Sequence, residues 1–401
     1  MDALMLEEAL ELILSRGKKI DECEIIDLWD VVGRVLAEDV VAQRNQPPFP
    51  RSPLDGYAVR SSDIKGASRE YPVTLTVITE VDAGHVAQKT VGVGEAIRIM
   101  TGAPIPDGAD CIIGQEDTDC GESRVIVYEE VKAWQNYCFE GEDYKAGTIL
   151  LKKGTVLGST EAGILASLGM SRVCVYRRPR VAVITTGDEI LLPGEELLPG
   201  KIYDSNLYAL VTRLRSWGVE ISAKMRVEDD AKKVAEIVEK VMTDADLIVT
   251  TGGVSVGKKD IMHEVLKILN YEKLFWRIAV KPGMPTLCAS CQRKLLVCLS
   301  GNPYGAVVNL ELLIRPLLAE MTGREDLKIQ RRRAVCENSF PKKSRVTRYV
   351  RAYYNDGKVR IASGSNASGI LSSMCGCNCL IVIPAGTERV EKDDEVEVIL
   401  I

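Results

Sequence analysis

Four short strings in the middle of the chain carry groups suited to holding an anion. Thr185-Thr186-Gly187-Asp188-Glu189 joins a turn-permitting glycine to two carboxylates. Thr251-Gly252-Gly253-Val254-Ser255-Val256-Gly257 runs on to Lys258-Lys259-Asp260, so that backbone amides and a hydroxyl can form an anion nest closed by a carboxylate. Lys281-Pro282-Gly283-Met284-Pro285 puts a cation at the mouth of a rigid turn. Ser300-Gly301-Asn302-Pro303 leads into a helix whose N-terminus favours negative charge. Taken singly, each has an ordinary structural explanation: a Gly-Gly pair is commonly a turn, Asp188 or Asp260 a helix cap, Lys281 a solvated charge. Four such loops at successive strand ends have a stronger reading, since one sheet brings them to a single edge. None follows Walker spacing or GxGxxG order, which argues against an ordinary nucleoside triphosphatase or dehydrogenase.

The surrounding elements predict that sheet. Residues 181–185 are continuously β-favouring and end at Gly187; the next helix, after Ser205, carries Leu207, Leu210, Val211, Leu214 and Trp217 and stops at Gly218. Strands are predicted at 219–226, 247–250, 274–280 and 295–299, with helices after Asp230 and over 306–321. This alternation gives a doubly wound, mainly parallel α/β domain over residues 178–326. Ahead of it, helices are predicted at 4–15 and 28–36, followed by a break at 46–53, where four prolines exclude a helix. Alternating short runs make 46–141 a small β-rich domain. Renewed helical character at 141–169 makes the first domain discontinuous, 1–45 with 142–177. Strand-like runs at 349–354, 358–362, 380–383 and 395–401, with an Asn355-Asp356-Gly357 turn, form a C-terminal β domain, 327–401.

Composition narrows the chemistry. The 401 residues are 46% hydrophobic and 27% charged, close to a soluble average, with no apolar run long enough for a membrane span. A net charge of −6 from interspersed signs lacks the basic footprint of a nucleic-acid binder. A cytoplasmic enzyme of a phosphorylated small molecule is expected, without nucleic acid or membrane. The twelve cysteines include Cys288 and Cys291 as CxxC and the alternating Cys375, Cys377 and Cys379. No second ligand pair accompanies the CxxC, and the trio is expected on one face of a strand, so reduced and mostly buried thiols are expected. With only His85 and His263, neither in a Cys or Ser motif, a His-based triad is not expected.

In order along the chain, TTGDE from Thr185, YDSN from Tyr203, GGVSVG with Asp260 three residues on, KPGxP from Lys281 and GNP from Gly301 resemble the molybdopterin molybdenumtransferases, the MoeA and gephyrin E-domain family. Outside the α/β domain the resemblance includes Asp55-Gly56-Tyr57-Ala58-Val59, Arg98-Ile99-Met100-Thr101-Gly102-Ala103 and Gly141-Glu142-Asp143. It identifies the α/β domain as of molybdopterin-binding type, the first domain as helical and the last as barrel-like. The implied reaction is insertion of molybdate into adenylyl-molybdopterin, a pterin substrate, with release of AMP and help from Mg²⁺. The implied catalytic residues are Asp260, Glu189, Asp55 and Asp143. Binding falls to Thr186, Gly187, Asp188, Ser205, Asn206, Asp229, Gly252, Gly253, Ser255, Gly257, Lys281, Pro282, Gly283, Ser300, Gly301, Asn302 and Thr101. Asp260 and Glu189 would hold Mg²⁺, since carboxylates facing an anionic substrate need an intervening cation. Molybdate would meet Lys281 and Pro282, opposite Arg345 and Ser368, with Arg348 and Arg351 competing for the place of Arg345.

The resemblance further implies a homodimer whose sites are completed by Asp55, Thr101 and Asp143 of the partner; their alternative reading is a cap or turn within the β-rich domain. Protein partners would be the molybdopterin adenylyltransferase and apo-molybdoenzymes. Two departures remove positive charge: Met284 stands where many relatives have lysine, and Cys138, Phe139 and Glu140 replace basic residues. The rival functions are molybdopterin adenylylation by the α/β domain, a non-catalytic cofactor-binding scaffold and, if the order of the motifs were coincidence, a general sugar-phosphate or nucleotide enzyme.

Overall fold

The computed structural model describes residues 3–254, 260–291, 294–364 and 367–401. They fall into two compact units: Glu38–Lys153 with Gly163–Ser171, and Met1–Ala37 with Gly154–Ala162 and Arg172–Ile401.

The larger unit is built on a six-stranded sheet ordered Glu220–Val227, Arg180–Thr186, Leu247–Thr251, Lys294–Leu299, Leu287–Cys291, Glu272–Trp276. The first four strands run parallel and the last two antiparallel to their neighbours. Val181 and Val183 pack with Leu207, Leu210 and Leu214 on one face, while Ala182 and Ile184 meet Val234, Val238 and Val265 on the other. Burial on both faces explains why these strands read as unbroken apolar runs. The helices start where their caps dictate: Asp204 accepts from Leu207 N at the head of Ser205–Ser216, and Asp230 from Lys232 N and Lys233 N before Ala231–Met242.

The single strand expected at 274–280 is two strands. Glu272–Trp276 ends at Arg277, which adopts φ +73, and Val280–Lys281 leaves the sheet to pair in parallel with Thr347 and Arg348. Leu4 is hydrogen-bonded to Arg277 and Ala279, pinning the crossing. Leu287–Cys291 was not expected as a strand, because LCASC has no polar alternation to mark it; it forms a hairpin with Lys294–Leu299. Cys288 and Cys291 lie three apart on this strand and so face opposite sides. The expected helix at 28–36 is one 3₁₀ turn, Leu28–Asp30, preceded by the strand Cys23–Asp27; Gly33 at φ +75 ends any continuation. Helix in 141–169 is confined to Ser159–Ser167.

The long helix begins at Pro303 and passes through a π-helical turn, Leu310–Ile314, before continuing as Arg315–Thr322. Within the turn, fully buried Glu311 is hydrogen-bonded to Arg213 at 2.6 Å and Arg315 at 2.8 Å. Arg315 donates onward to the carbonyls of Leu327, Lys328 and Leu400, which holds the helix to the C-terminal strands. Those strands are ordered Val280–Lys281, Thr347–Asn355, Lys358–Ile361, Arg331–Cys336, Glu395–Leu400, Cys379–Ile383, and Thr347–Asn355 also pairs with Cys379–Ile383 to close the ring. The last of these strands begins only at Cys379. Cys375 and Cys377 precede it in a turn around Gly376 at φ +77, so the trio does not share a strand face as expected.

In the smaller unit the sheet is ordered Cys111–Gly114, Gly56–Val59, Glu95–Ile99, Val73–Val81, Arg124–Val127. Among the described residues no helix is long and apolar enough to cross a membrane.

One ion pair anchors the entry to the large sheet. Asp246 accepts from both Nη atoms of Arg177, at 2.7 and 2.9 Å, and from Arg180 N at 2.8 Å, while Arg177 also pairs with Glu22. Burial opposes the Asp246 charge, but the Arg177 and Arg180 hydrogen bonds win and hold the carboxyl below the usual carboxylate range. Asp246→Ala should cost roughly 2–3 kcal/mol at neutral pH, the worth of hydrogen bonds to a charged group. A lowered native pKa means that this stability is present above the unfolded value, near about 3.9, and is lost as pH falls through the native one. Denaturant midpoints of the parent and variant should therefore converge on acidification, and a constant difference down to pH 2.5, about 1.4 units below that unfolded value, contradicts the assignment.

Candidate active site

The sheet gathers the four loops at one edge. Three follow the carboxyl ends of parallel strands ending at Thr186, Thr251 and Leu299. The fourth, 281–285, reaches the same edge because it precedes Leu287, whose strand runs antiparallel and pairs Leu287 with Cys298. Asn206 ties them together: its Nδ2 donates to Gly301 O at 2.9 Å and to Thr251 Oγ1 at 3.3 Å. Asp204 accepts from Thr185 Oγ1 at 2.5 Å, fixing the start of this helix to the first loop.

Close backbone approach explains two glycines. At Gly252, φ is +96 and a Cβ would lie 2.3 Å from Thr186 O; at Gly283, φ is +97 and a Cβ would meet Asn309 Nδ2 at 2.5 Å. Buried Asn309 donates to Gly283 O at 2.7 Å and to Thr286 Oγ1 at 2.6 Å, so the KPGMP turn rests on the long helix.

Two cavities open along this edge. The first, about 550 Å³, is lined by Thr186, Glu189, Asp204, Ser205, Asn206, Asp229, Gly252, Gly253, Gly301 and neighbouring groups. Among the described residues its ionisable lining is acidic. Asp229 is pushed up by burial first and then by the charge of Asp188, and its Oδ1 has no protein partner. The second, about 520 Å³, is lined by Lys281, Pro282, Gly283, Met284, Tyr304, Lys342, Arg348 and Ser368, among others. Among the described residues its charged lining is basic. Pro285, Ser300 and Asn302 belong to both walls, so the cavities adjoin. Each has the size of a small-molecule site.

Of the three candidate arginines, Arg345 is exposed and does not line the cavity. It precedes the strand Thr347–Asn355, whereas Arg348 sits within it opposite Lys281. Arg348 is 8% exposed and its Nε has no hydrogen-bond partner, although burial disfavours its charge. Such a buried, unsatisfied cation is what an anion would complete. Arg351 is instead fully buried, 4.1 Å from the Tyr304 ring, and donates to Ile370 O at 2.7 Å. That bond and Tyr304 N to Ser368 O, at 3.1 Å, hold Ser368 at the cavity wall.

Asp260 lines neither cavity. Burial pushes its carboxyl up to about 6 against the pull of Met262 N and Arg277, and its Oδ1 is buried without a partner. His263 Nε2 lies 3.8 Å from the other oxygen, but burial lowers the pKa of this imidazole. Glu189, the other expected Mg²⁺ ligand, is exposed at the first cavity. Among the described residues no three His, Cys, Asp or Glu side chains are grouped to hold a metal ion. Mg²⁺ needs no such cage, since it keeps waters and takes one or two carboxylates with substrate phosphates, and the orphaned Asp260 oxygen fits that donor set. Asp188 accepts from Asp229 N at 3.2 Å. Ser255 and Gly257, with Lys258 and Lys259, lie outside the described residues.

Asp55, Thr101 and Asp143 belong to the smaller unit. Asp55 Oδ1 accepts from Thr101 Oγ1 at 2.6 Å and Thr101 N at 2.7 Å, which lowers its pKa. Asp143 is exposed.

Sequence reasoning missed Lys342 and Tyr304. Their signals are weak: Lys342 lies in a short basic run, and Tyr304 follows Asn302-Pro303 in a helix that was expected to begin later.

Three family models match in succession: the MoeA N-terminal region (domains I and II) over residues 4–169, a probable molybdopterin binding domain over 182–320 and the MoeA C-terminal region (domain IV) over 333–401. The molybdopterin molybdenumtransferase of Staphylococcus epidermidis is 36% identical over 400 residues, covering 99% of this chain and 95% of that protein. The Staphylococcus aureus protein of the same name is 34% identical over 397 residues, 98% of this chain and 94% of that protein. The crystal structure of the molybdopterin biosynthesis MoeA protein from Pyrococcus horikoshii superposes with a TM-score of 0.84 at 32% identity, covering all of both chains.

Proposed function

Since this chain belongs to the MoeA family, the molybdopterin molybdenumtransferases of molybdenum cofactor biosynthesis, we propose that it inserts molybdate into adenylyl-molybdopterin and releases AMP. The observation that carries this reading is the pair of adjoining cavities with opposite charge, sharing Pro285, Ser300 and Asn302. The basic cavity takes the molybdate dianion, with Lys281 and Arg348 as its cations and Ser368 as a neutral hydrogen-bonding group. The larger substrate occupies the acidic cavity, where Asn206, Ser205 and the glycines at 252, 253 and 301 allow close approach. Its phosphates meet Glu189 and Asp229, a repulsive arrangement unless a cation lies between. Asp260 and Glu189 are the residues that would hold Mg²⁺, which when bound would polarise the phosphoanhydride. The chain's own contribution is to orient that linkage, to fix the oxyanion beside it and to hold both out of bulk water.

In this reading the chain is a cytoplasmic homodimer, with Asp55, Thr101 and Asp143 completing the site of the other copy. Support comes from the functional roles that the family resemblance gives these residues; the hydrogen bonds from Thr101 to Asp55 lie within one unit and are equally those of a cap. A single monomeric species in sedimentation at working concentration would remove the dimer from the proposal. The four-domain division also belongs to it, supported by changes of family model between residues 169 and 182 and between 320 and 333. Adenylylation is disfavoured because a stand-alone α/β domain leaves the flanking MoeA regions without a role.

The test is to incubate the chain with adenylyl-molybdopterin, Mg²⁺ and molybdate, following AMP release and reconstitution of an apo-molybdoenzyme. Molybdate-dependent release of AMP is expected. Binding of the nucleotide without turnover would favour the scaffold.

A further inference from the structure

We propose that Lys342 is a specificity-determining residue of the basic cavity, supplying from the C-terminal domain the positive charge that Met284 does not. This rests on reading that cavity as the oxyanion compartment. Among the described residues its charged lining is Lys281, Lys342 and Arg348, with no carboxylate there to neutralise them. The neighbouring Lys343 is committed elsewhere, 2.8 Å from Glu388. Lys342 has no ion-pair or hydrogen-bond partner among the described residues, so its ammonium is available to a ligand. It lies just ahead of the strand that carries Arg348, and that strand is registered on Lys281. The three cations therefore reach the cavity from a short length of one sheet edge and the segment leading into it. Met284 lines the same cavity, and its thioether brings no charge.

The physics of the three cations differs. Arg348 is buried over the Phe340 ring, so it fixes orientation, whereas Lys342 is exposed on a flexible stem and follows the charge of the ligand. Coulomb attraction scales with ligand charge, so such a group discriminates dianions from monoanions of similar shape. Molybdate and perrhenate, both tetrahedral oxyanions, provide that comparison. Removing the Lys342 charge should weaken molybdate about tenfold, between the worth of an exposed ion pair and a full charged hydrogen bond. Half that free energy for a monoanion makes the expected loss for perrhenate about threefold.

The test is calorimetric titration of the full chain with each oxyanion at fixed ionic strength, comparing Lys342→Gln, Lys343→Gln, Lys281→Ala and the double variant Lys342→Gln/Met284→Lys. Lys342→Gln should lose the stated factors, Lys343→Gln should match the parent, and Met284→Lys should restore molybdate binding in the Lys342→Gln background. If Lys281→Ala weakens molybdate but Lys342→Gln does not, the inference fails while the cavity assignment stands. Equal losses for the two oxyanions would refute selection by charge. Molybdate binding that is absent in the parent, or unaffected by Lys281→Ala, would overturn the cavity assignment and the inference with it.

Discussion

Asp260→Asn is expected to lower Mg²⁺-dependent AMP release on the order of 10²–10³-fold while raising the midpoint of thermal unfolding. The two effects have one cause. Asparagine keeps an acceptor for Met262 N but cannot carry the negative charge that a cation and phosphate require. In the native chain that charge is held against burial, as the displacement of the carboxyl to about 6 implies. The sign follows from proton binding: a native carboxyl that titrates above its unfolded value holds its proton more tightly when folded. Its ionisation is therefore a stability cost that is absent below the unfolded value, grows as pH rises towards about 6 and persists at neutral pH. The substitution removes the cost. Unfolding scans and AMP assays on the same preparation decide the matter: a lower midpoint would mean that Asp260 is a structural cap, and unchanged turnover would take it out of the reaction.

Arg348→Met should raise the molybdate concentration for half-maximal AMP release roughly ten- to a hundredfold, the worth of a charged hydrogen bond of about 1.5–3 kcal/mol. Methionine retains an apolar stem of similar length beside Phe340, so folding should survive. The other two arginines supply the contrast. Arg345→Gln should leave half-saturation unchanged because that side chain is exposed away from the cavity, whereas Arg351→Met should reduce stability by freeing the 367–370 segment. If Arg345→Gln carries the large effect instead, the oxyanion binds outside the basic cavity.

The loops themselves were legible in the sequence because four of them recur at the ends of strands of one sheet, and the caps Asp204 and Asp230 sit where helical periodicity begins. Choosing among Arg345, Arg348 and Arg351 was beyond sequence, since a side chain's face depends on where its strand starts. That start is fixed by pairing with Val280 and Lys281, more than sixty residues earlier in the chain. The Cys375–Cys379 alternation misled for a related reason: period two signals a strand only if the backbone is extended, and Gly376 turns it. Asp260 was found through its place after the glycine loop, but its buried, unpartnered oxygen is a property of packing that no local pattern encodes.

The pairing of Val280–Lys281 with Thr347–Arg348 has a consequence for modularity. By covalent order, Lys281 belongs to the α/β part and Arg348 to the C-terminal part, yet they are neighbours in one sheet. Cutting or grafting the chain near residue 327 would separate the two cations and leave an unpaired strand edge on the remaining ring. Exchange of the C-terminal part between relatives is therefore constrained at both ends of the pairing, and a chimera can keep every family motif and still lose the oxyanion compartment. In this fold the unit of inheritance for that compartment is the paired segment, not the domain.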